Sequence, residues 1–179
     1  MQMAKEYKDA NSPTSGAIQQ VSRGGTVTEF DKWRVPAANW VKLNSDAKWC
    51  KESCKCYAGA VIRDRQGKFL GAQFNDIGIA LSALMAEALA LPEGVMLARE
   101  LNWNCVEFES DSKVLIQALR GEIGTPVEID VIIWDVLQWS KNMNSKLQFI
   151  KSTVNNAAHL VAHWDCGSEL LIMYLWSTT

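Results

Sequence analysis

The spacing of apolar residues switches along this chain, and the order of the switches restricts the folds open to it. Residues 40–46 alternate, with Val41, Leu43 and Ser45 on one face and Lys42, Asn44 and Asp46 on the other, the signature of a strand. Residues 57–63 and 68–75 predict the arms of a hairpin around the turn Asp64-Arg65-Gln66-Gly67, where Gly67 takes the positive φ such turns need. Over residues 80–101 the period becomes helical, and Leu84, Ala88, Leu91, Val95 and Ala98 form one stripe. A strand over 105–108, a helix over 114–119 and a loop over 121–126 follow. Residues 128–140 predict a helix burying Ile129, Ile132, Ile133, Val136 and Leu137; then come a strand over 146–152 and a helix from 155 to about 166. This order predicts an α/β fold: a five-stranded mixed sheet flanked by helices, antiparallel at first and joined later by parallel crossovers.

At 179 residues the chain holds one domain with tails. Residues 1–36 are polar and aperiodic and predict a disordered or linker segment; 37–166 predict the domain and 167–179 a C-terminal tail. A net charge of −2 excludes a strongly basic nucleic-acid binder. The opening residues carry no secretory signal, and the apolar run 170–176 is too short to span a bilayer. Five cysteines, an odd number, predict free thiols and an intracellular location.

Asp111 stands where a strand gives way to a helix, the place at which open α/β sheets present ligands. Alone, it reads as readily as a helix cap in the junction Ser110-Asp111-Ser112. Two other carboxylates change that balance: Asp46 on the first strand, and Glu87, about 60° from the centre of the first helix's buried stripe. If the first and fourth strands are neighbours, the three converge. Clustered carboxylates repel, and a hard cation such as Mg²⁺ resolves the conflict. Pro92 sits in the same helix and costs about 3 kcal/mol unless the helix kinks. His159, His163 and Cys166 share one helix face, as in a transition-metal site, although plain packing explains them too. Cys50, Cys54 and Cys56 lack the paired spacing of a zinc site. Lys48, Lys51 and Lys55 beside Trp49 suit either phosphate contact with base stacking or a solvated loop.

Five segments then carry a family resemblance: WVKLNSDAKW, YAGAVIRDRQGKFLGA, LMAEALAL, VEFESDSKVLIQAL and NNAAHLVAHW, spread over residues 38–166. In order and spacing they resemble the type 1 ribonuclease H fold, specifically the plant ribonuclease H-like domains associated with retroelement reverse transcriptases. The resemblance implies a monomeric, metal-dependent endonuclease that cleaves the RNA strand of an RNA–DNA hybrid. Asp46, Glu87 and Asp111 take the places of the metal-binding carboxylates, with Mg²⁺ as cofactor and Mn²⁺ as its substitute. It further implies nucleic-acid contacts from Asn44, Lys48, Trp49, Ser112 and Asn155. His159 stands where the family's nucleases carry a fourth carboxylate. Residues 128–140 hold Glu128, Asp130 and Asp135 and no Lys or Arg, so the basic protrusion of the bacterial relatives is absent and weak hybrid binding is expected. The alternative is a catalytically weakened nucleic-acid-binding module derived from a retroelement; a protein-interaction domain that merely keeps the fold is a third.

Overall fold

The computed structural model describes residues 32–164 and the backbone of 171–174. Three strands open the domain: β1 (Val41–Trp49), β2 (Lys55–Arg63) and β3 (Phe69–Ile79). Helix α1 (Ala83–Glu100), strand β4 (Cys105–Ser110) and helix α2 (Lys113–Leu119) follow. A 3₁₀ turn (Val127–Ile129) leads into α3 (Asp130–Trp139), then come β5 (Asn144–Phe149), α4 (Asn156–Ala162) and β6 (Leu171–Tyr174). The sheet order is β5-β4-β1-β2-β3-β6. β1, β2 and β3 pair antiparallel, while β1–β4 and β4–β5 are parallel. The five expected strands and their mixed pairing are all present.

One short strand was not expected. Residues 171–174 fall in the segment read as a tail, yet they pair antiparallel with residues 71–74 of β3. An unpaired edge of amides and carbonyls is a ready partner for an apolar Leu-Ile-Met-Tyr run, which is why this stretch becomes β6. The lead-in is also packed earlier than expected. Trp33 lies with its ring 4.1 Å from the Arg63 guanidinium and 5.7 Å from Lys42 Nζ, and Pro36 is buried. The domain therefore includes the last residues assigned to the linker.

Other boundaries moved for local reasons. α1 starts later than expected because Ser82 caps it: its Oγ accepts from the Met85 amide at 3.0 Å. α1 runs unbroken through Pro92. β5 begins at Asn144 and stops at Phe149, because residues 151–155 turn, with the Asn155 amide donating to Ser152 O at 3.0 Å. The hairpin turn is as expected, with Gly67 at φ 75°. Ile129 in the 3₁₀ turn and Ile133 and Val136 on α3 are buried, but Leu137 is 40% exposed.

The sheet separates two packed layers. On one face α1, α2 and α3 cover Val41, Leu43, Ala60, Ile62, Val106 and Phe108. Each fully buried residue of this size contributes about 1.5–3 kcal/mol. The fit is close enough that a Cβ on Gly94 would meet Leu43 Cδ2 at 2.6 Å. On the other face α4 packs over Val61, Ala72 and Phe74 through Val161. Here the approach is backbone to backbone: a Cβ on Gly59 would lie 2.2 Å from the Ala162 amide nitrogen.

Beside α4, the same face carries charges in place of apolar residues. Lys42 Nζ lies 2.6 Å from Glu109 Oε1 and 3.6 Å from Glu107 Oε2. Asn44 Nδ2 donates to Glu109 Oε2 at 2.8 Å, and Arg63 donates to Asn44 Oδ1 at 2.8 Å. Lys42, Asn44, Arg63, Glu107 and Glu109 are all buried. Removing one member would strand its partner's charge, a loss of about 3–5 kcal/mol. Trp33 and the Ala37 amide, which donates to Glu107 Oε1 at 3.3 Å, close the network from the lead-in side.

Candidate active site

β1 and β4 are adjacent and parallel, with Asn44 beside Glu109. Two residues further along each chain segment stand Asp46, still within β1, and Asp111, just past the end of β4. Glu87 reaches them from the second turn of α1. One carboxylate oxygen from each of Asp46, Glu87 and Asp111 lies within 4.8 Å of the others. Asp46 is 4% exposed, and Glu87 Oε2 is enclosed without a hydrogen-bond partner.

The electrostatics follow from that crowding. Burial pushes the Glu87 carboxyl up to about 9, and the charges of Asp46 and Asp111 and a hydrogen bond with Asp46 add to the rise, against the Ala47 amide. Asp111 is raised as well, first by burial and then by Asp46; its own amide, Asn155 and His159 oppose the shift. The helix-cap reading of Asp111 does not hold. Ser112 is the N-cap of α2 and makes no side-chain cap bond, while its amide donates to Ser110 Oγ at 3.1 Å.

α4 supplies the remaining walls. Asn155 is buried, and its Nδ2 donates to Ser45 O at 2.9 Å and to Asp111 Oδ1 at 3.3 Å. It ties the start of α4 to β1 and steers Asp111. His159 Nδ1 lies 2.8 Å from Asp46 Oδ2, with its ring half exposed. His163 packs against His159, ring centroids 3.9 Å apart and tilted by 37°. Cys166, expected on the same face, lies outside the described residues.

Of the expected nucleic-acid contacts, Ser112 sits half-buried beside Asp111. Asn44 is not available: it is fully buried between Glu109 and Arg63. Trp49 spends its Nε1 on Ala80 O at 2.9 Å and packs near Cys56 and Ala86, and Lys48 leans over the Tyr57 ring at 5.6 Å. Asn155 is a buried positioning residue. Cys56 is buried as well, and among the described residues no group placed to hold a metal contains a cysteine. One feature escaped sequence reasoning, because its residues come from separate segments. A cleft of about 570 Å³ is lined by Lys32, Arg34, Lys113, Arg120 and Lys151, and Glu122 is its exposed acid. Lys113, on the wall of this cleft, follows Asp111 by two residues, while Asp46, Glu87 and Asp111 themselves lie outside its lining.

A mixed sheet in the order found here, with three carboxylates meeting where β4 ends beside β1, defines a ribonuclease H-like α/β domain. Solved structures agree on the fold. RNase H1 from the halophilic archaeon Halobacterium salinarum superposes with a TM-score of 0.64 at 17% identity, covering 68% of this chain and 93% of that one. LC11-RNase H1 in complex with an RNA/DNA hybrid gives 0.62 at 16% identity, covering 68% and 92%. Residues 44–165 match the family described as reverse transcriptase-like, and the chain belongs to it. A protein of Arabidopsis thaliana named "Putative ribonuclease H protein" is 34% identical over 91 residues, which is 51% of this chain. The aligned part spans 14% of that relative's length. The resemblance to plant retroelement ribonuclease H-like domains drawn from the five motifs thus stands. Among the described residues no helix is long and apolar enough to cross a membrane.

Proposed function

We propose that this domain is a metal-dependent endoribonuclease acting on the RNA strand of RNA–DNA hybrids. The observation that carries the reading is the carboxylate trio itself: three acids within 4.8 Å, one held protonated to about pH 9 when no cation compensates. Such a cluster costs stability on its own and suits a hard divalent cation, Mg²⁺ first and Mn²⁺ next. Asp46, Glu87 and Asp111 would hold it, and the orphaned Glu87 oxygen is the donor that fits this role. When bound, the ion supplies an activated water and neutralises the leaving oxygen of a phosphodiester. The chain's own residues do the rest. Asn155 orients Asp111, and His159 holds Asp46 in place through its Nδ1. The cations of the neighbouring cleft meet phosphate, a contact blind to base sequence and weakened by salt. The hybrid held by LC11-RNase H1 is the substrate class this reading carries over.

His159 favours a second reading, a nucleic-acid-binding module with weakened catalysis, because an imidazole is a poorer ligand than a carboxylate for Mg²⁺. The deciding experiment is cleavage of an end-labelled hybrid with Mg²⁺ or Mn²⁺. The nuclease reading expects low activity with Mg²⁺, more with Mn²⁺, a gain with Mg²⁺ in His159→Asp, and loss in Asp111→Asn. A His159→Asp protein that folds and binds hybrid yet cleaves nothing would hand the argument to the binding module.

A further inference from the structure

α3 is apolar on two sides, and the fold covers one of them. Ile133 and Val136 turn inward to the core that holds Leu91 and Val95 of α1. Outward, Val127 in the preceding 3₁₀ turn is 94% exposed, Val131 73% and Trp134 61%. These three recur at i, i+4 and i+7, so they make one ridge along the helix. Single exposed apolar residues need no explanation, but a contiguous ridge does. A helix apolar all round is ordinarily buried all round, and α3 is buried on one side.

Acids frame the ridge. At about 100° per residue, Asp130 and Asp135 fall about 70° to either side of the line midway between Val131 and Trp134. Glu128 follows Val127, and its Oε2 accepts from Ser82 Oγ at 2.7 Å. Residues 121–140 hold no Lys or Arg, and the first cation beyond them, Lys141, is engaged by Gln138 Oε1. This frame selects the occupant. It repels nucleic-acid phosphates and anionic lipid headgroups, and a second copy would set its own acids against these. Apolar side chains bordered by lysine or arginine satisfy both the ridge and its rim. A ridge at helical spacing packs against another helix, whose side chains enter the gaps between Val127, Val131 and Trp134.

We propose that the outer face of α3 docks a basic amphipathic helix of a partner protein. Trp134 is its anchor, the residue type that dominates interface centres. Asp130 and Asp135 fix the sign of the partner's charge. The bond from Ser82 to Glu128 ties the ridge to the cap of α1, so the partner sits beside the helix that carries Glu87. None of this depends on hybrid cleavage.

The probe is a fluorescein-labelled synthetic helix of leucines and lysines at heptad spacing, titrated with the full chain and read by anisotropy. It should bind at least about tenfold tighter than the same helix with glutamate for each lysine, and added salt should weaken it. Trp134→Ala should weaken binding by about tenfold or more. Ile79→Ala, at an exposed apolar residue ending β3, should change nothing. Asp130→Lys/Asp135→Lys should reverse the preference toward the glutamate helix. Melting temperatures matching the unaltered chain show that each variant is folded. Equal affinity for both helices, or binding indifferent to both Trp134→Ala and Trp134→Lys, would overturn the docking surface. Tighter binding to phosphatidylserine vesicles, or a concentration-dependent dimer that Trp134→Lys abolishes, would overturn it in favour of another occupant. Trp134→Ala should bind hybrid as the unaltered chain does, so this surface and the nuclease reading fail separately; hybrid binding lost with the tryptophan would give the ridge to nucleic acid.

Discussion

Glu87 shows how a single residue was legible in part. Its angle to the apolar stripe of α1 marked it as a carboxylate near a buried face, and with Asp46 and Asp111 it predicted a cluster. What sequence could not give was the enclosure of Oε2 without a hydrogen-bond partner. A pH dependence follows. The folded carboxyl titrates at about 9, far above an unfolded glutamate near 4.3, so the native state binds the extra proton between these values. Its contribution is fully present below the unfolded value and is lost as pH rises through the folded one. In chelator, the melting temperature should fall from about pH 5 to pH 9, and Glu87→Gln should flatten the decline. Added divalent cation should raise the melting temperature more at pH 8 than at pH 6, because metal and proton compete for the same oxygens. Equal stabilisation at both pH values would mean that the cation binds elsewhere.

At the scale of elements, periodicity found the five main strands and the four helices of the described residues, because most of them have a face whose residues must be apolar. β6 escaped because its pairing partner lies about a hundred residues upstream, and a four-residue run carries no period of its own. The polar face of β1 was legible as alternation, but its burial was not: Lys42 and Asn44 go inside only because β4, β2 and the lead-in surround them. The seating of α4 was equally invisible, since it rests on glycine. Gly59→Ala should push α4 off β2, where the added carbon meets backbone that cannot rotate away. Overpacking of this kind costs about 1–3 kcal/mol or more. Because Asn155 and His159 ride on α4, hybrid cleavage should drop further than the stability loss explains, which denaturant melts beside initial rates would reveal. Activity falling no further than the folded fraction would show that the helix regains its seat.

For the molecule as a whole, composition gave a near-neutral domain and no basic footprint, and both statements are true of the chain while hiding the local cleft. Charges drawn from the lead-in, α2 and the turn after β5 cannot be summed by reading along the sequence. The lead-in has a structural duty besides this one, since Trp33 and Ala37 close the buried ionic network. A chain shortened to start at Asn39 should therefore be less stable than one starting at Lys32, by calorimetry or urea melts. Limited proteolysis of the full chain should leave a fragment beginning ahead of Trp33. Equal stability of the two shortened chains would assign the network no need of its cover. β6 has a different consequence, for self-association. It covers Gly71–Phe74 of β3, so a second copy can pair with that stretch of β3 only after the first releases its own strand. The opposite border is β5, where Lys146 is tied inward, 3.3 Å from Glu107 Oε1 and 4.0 Å from the Trp40 ring. Pairing between copies through residues 71–74 of β3 is thus gated by a strand the chain must first give up.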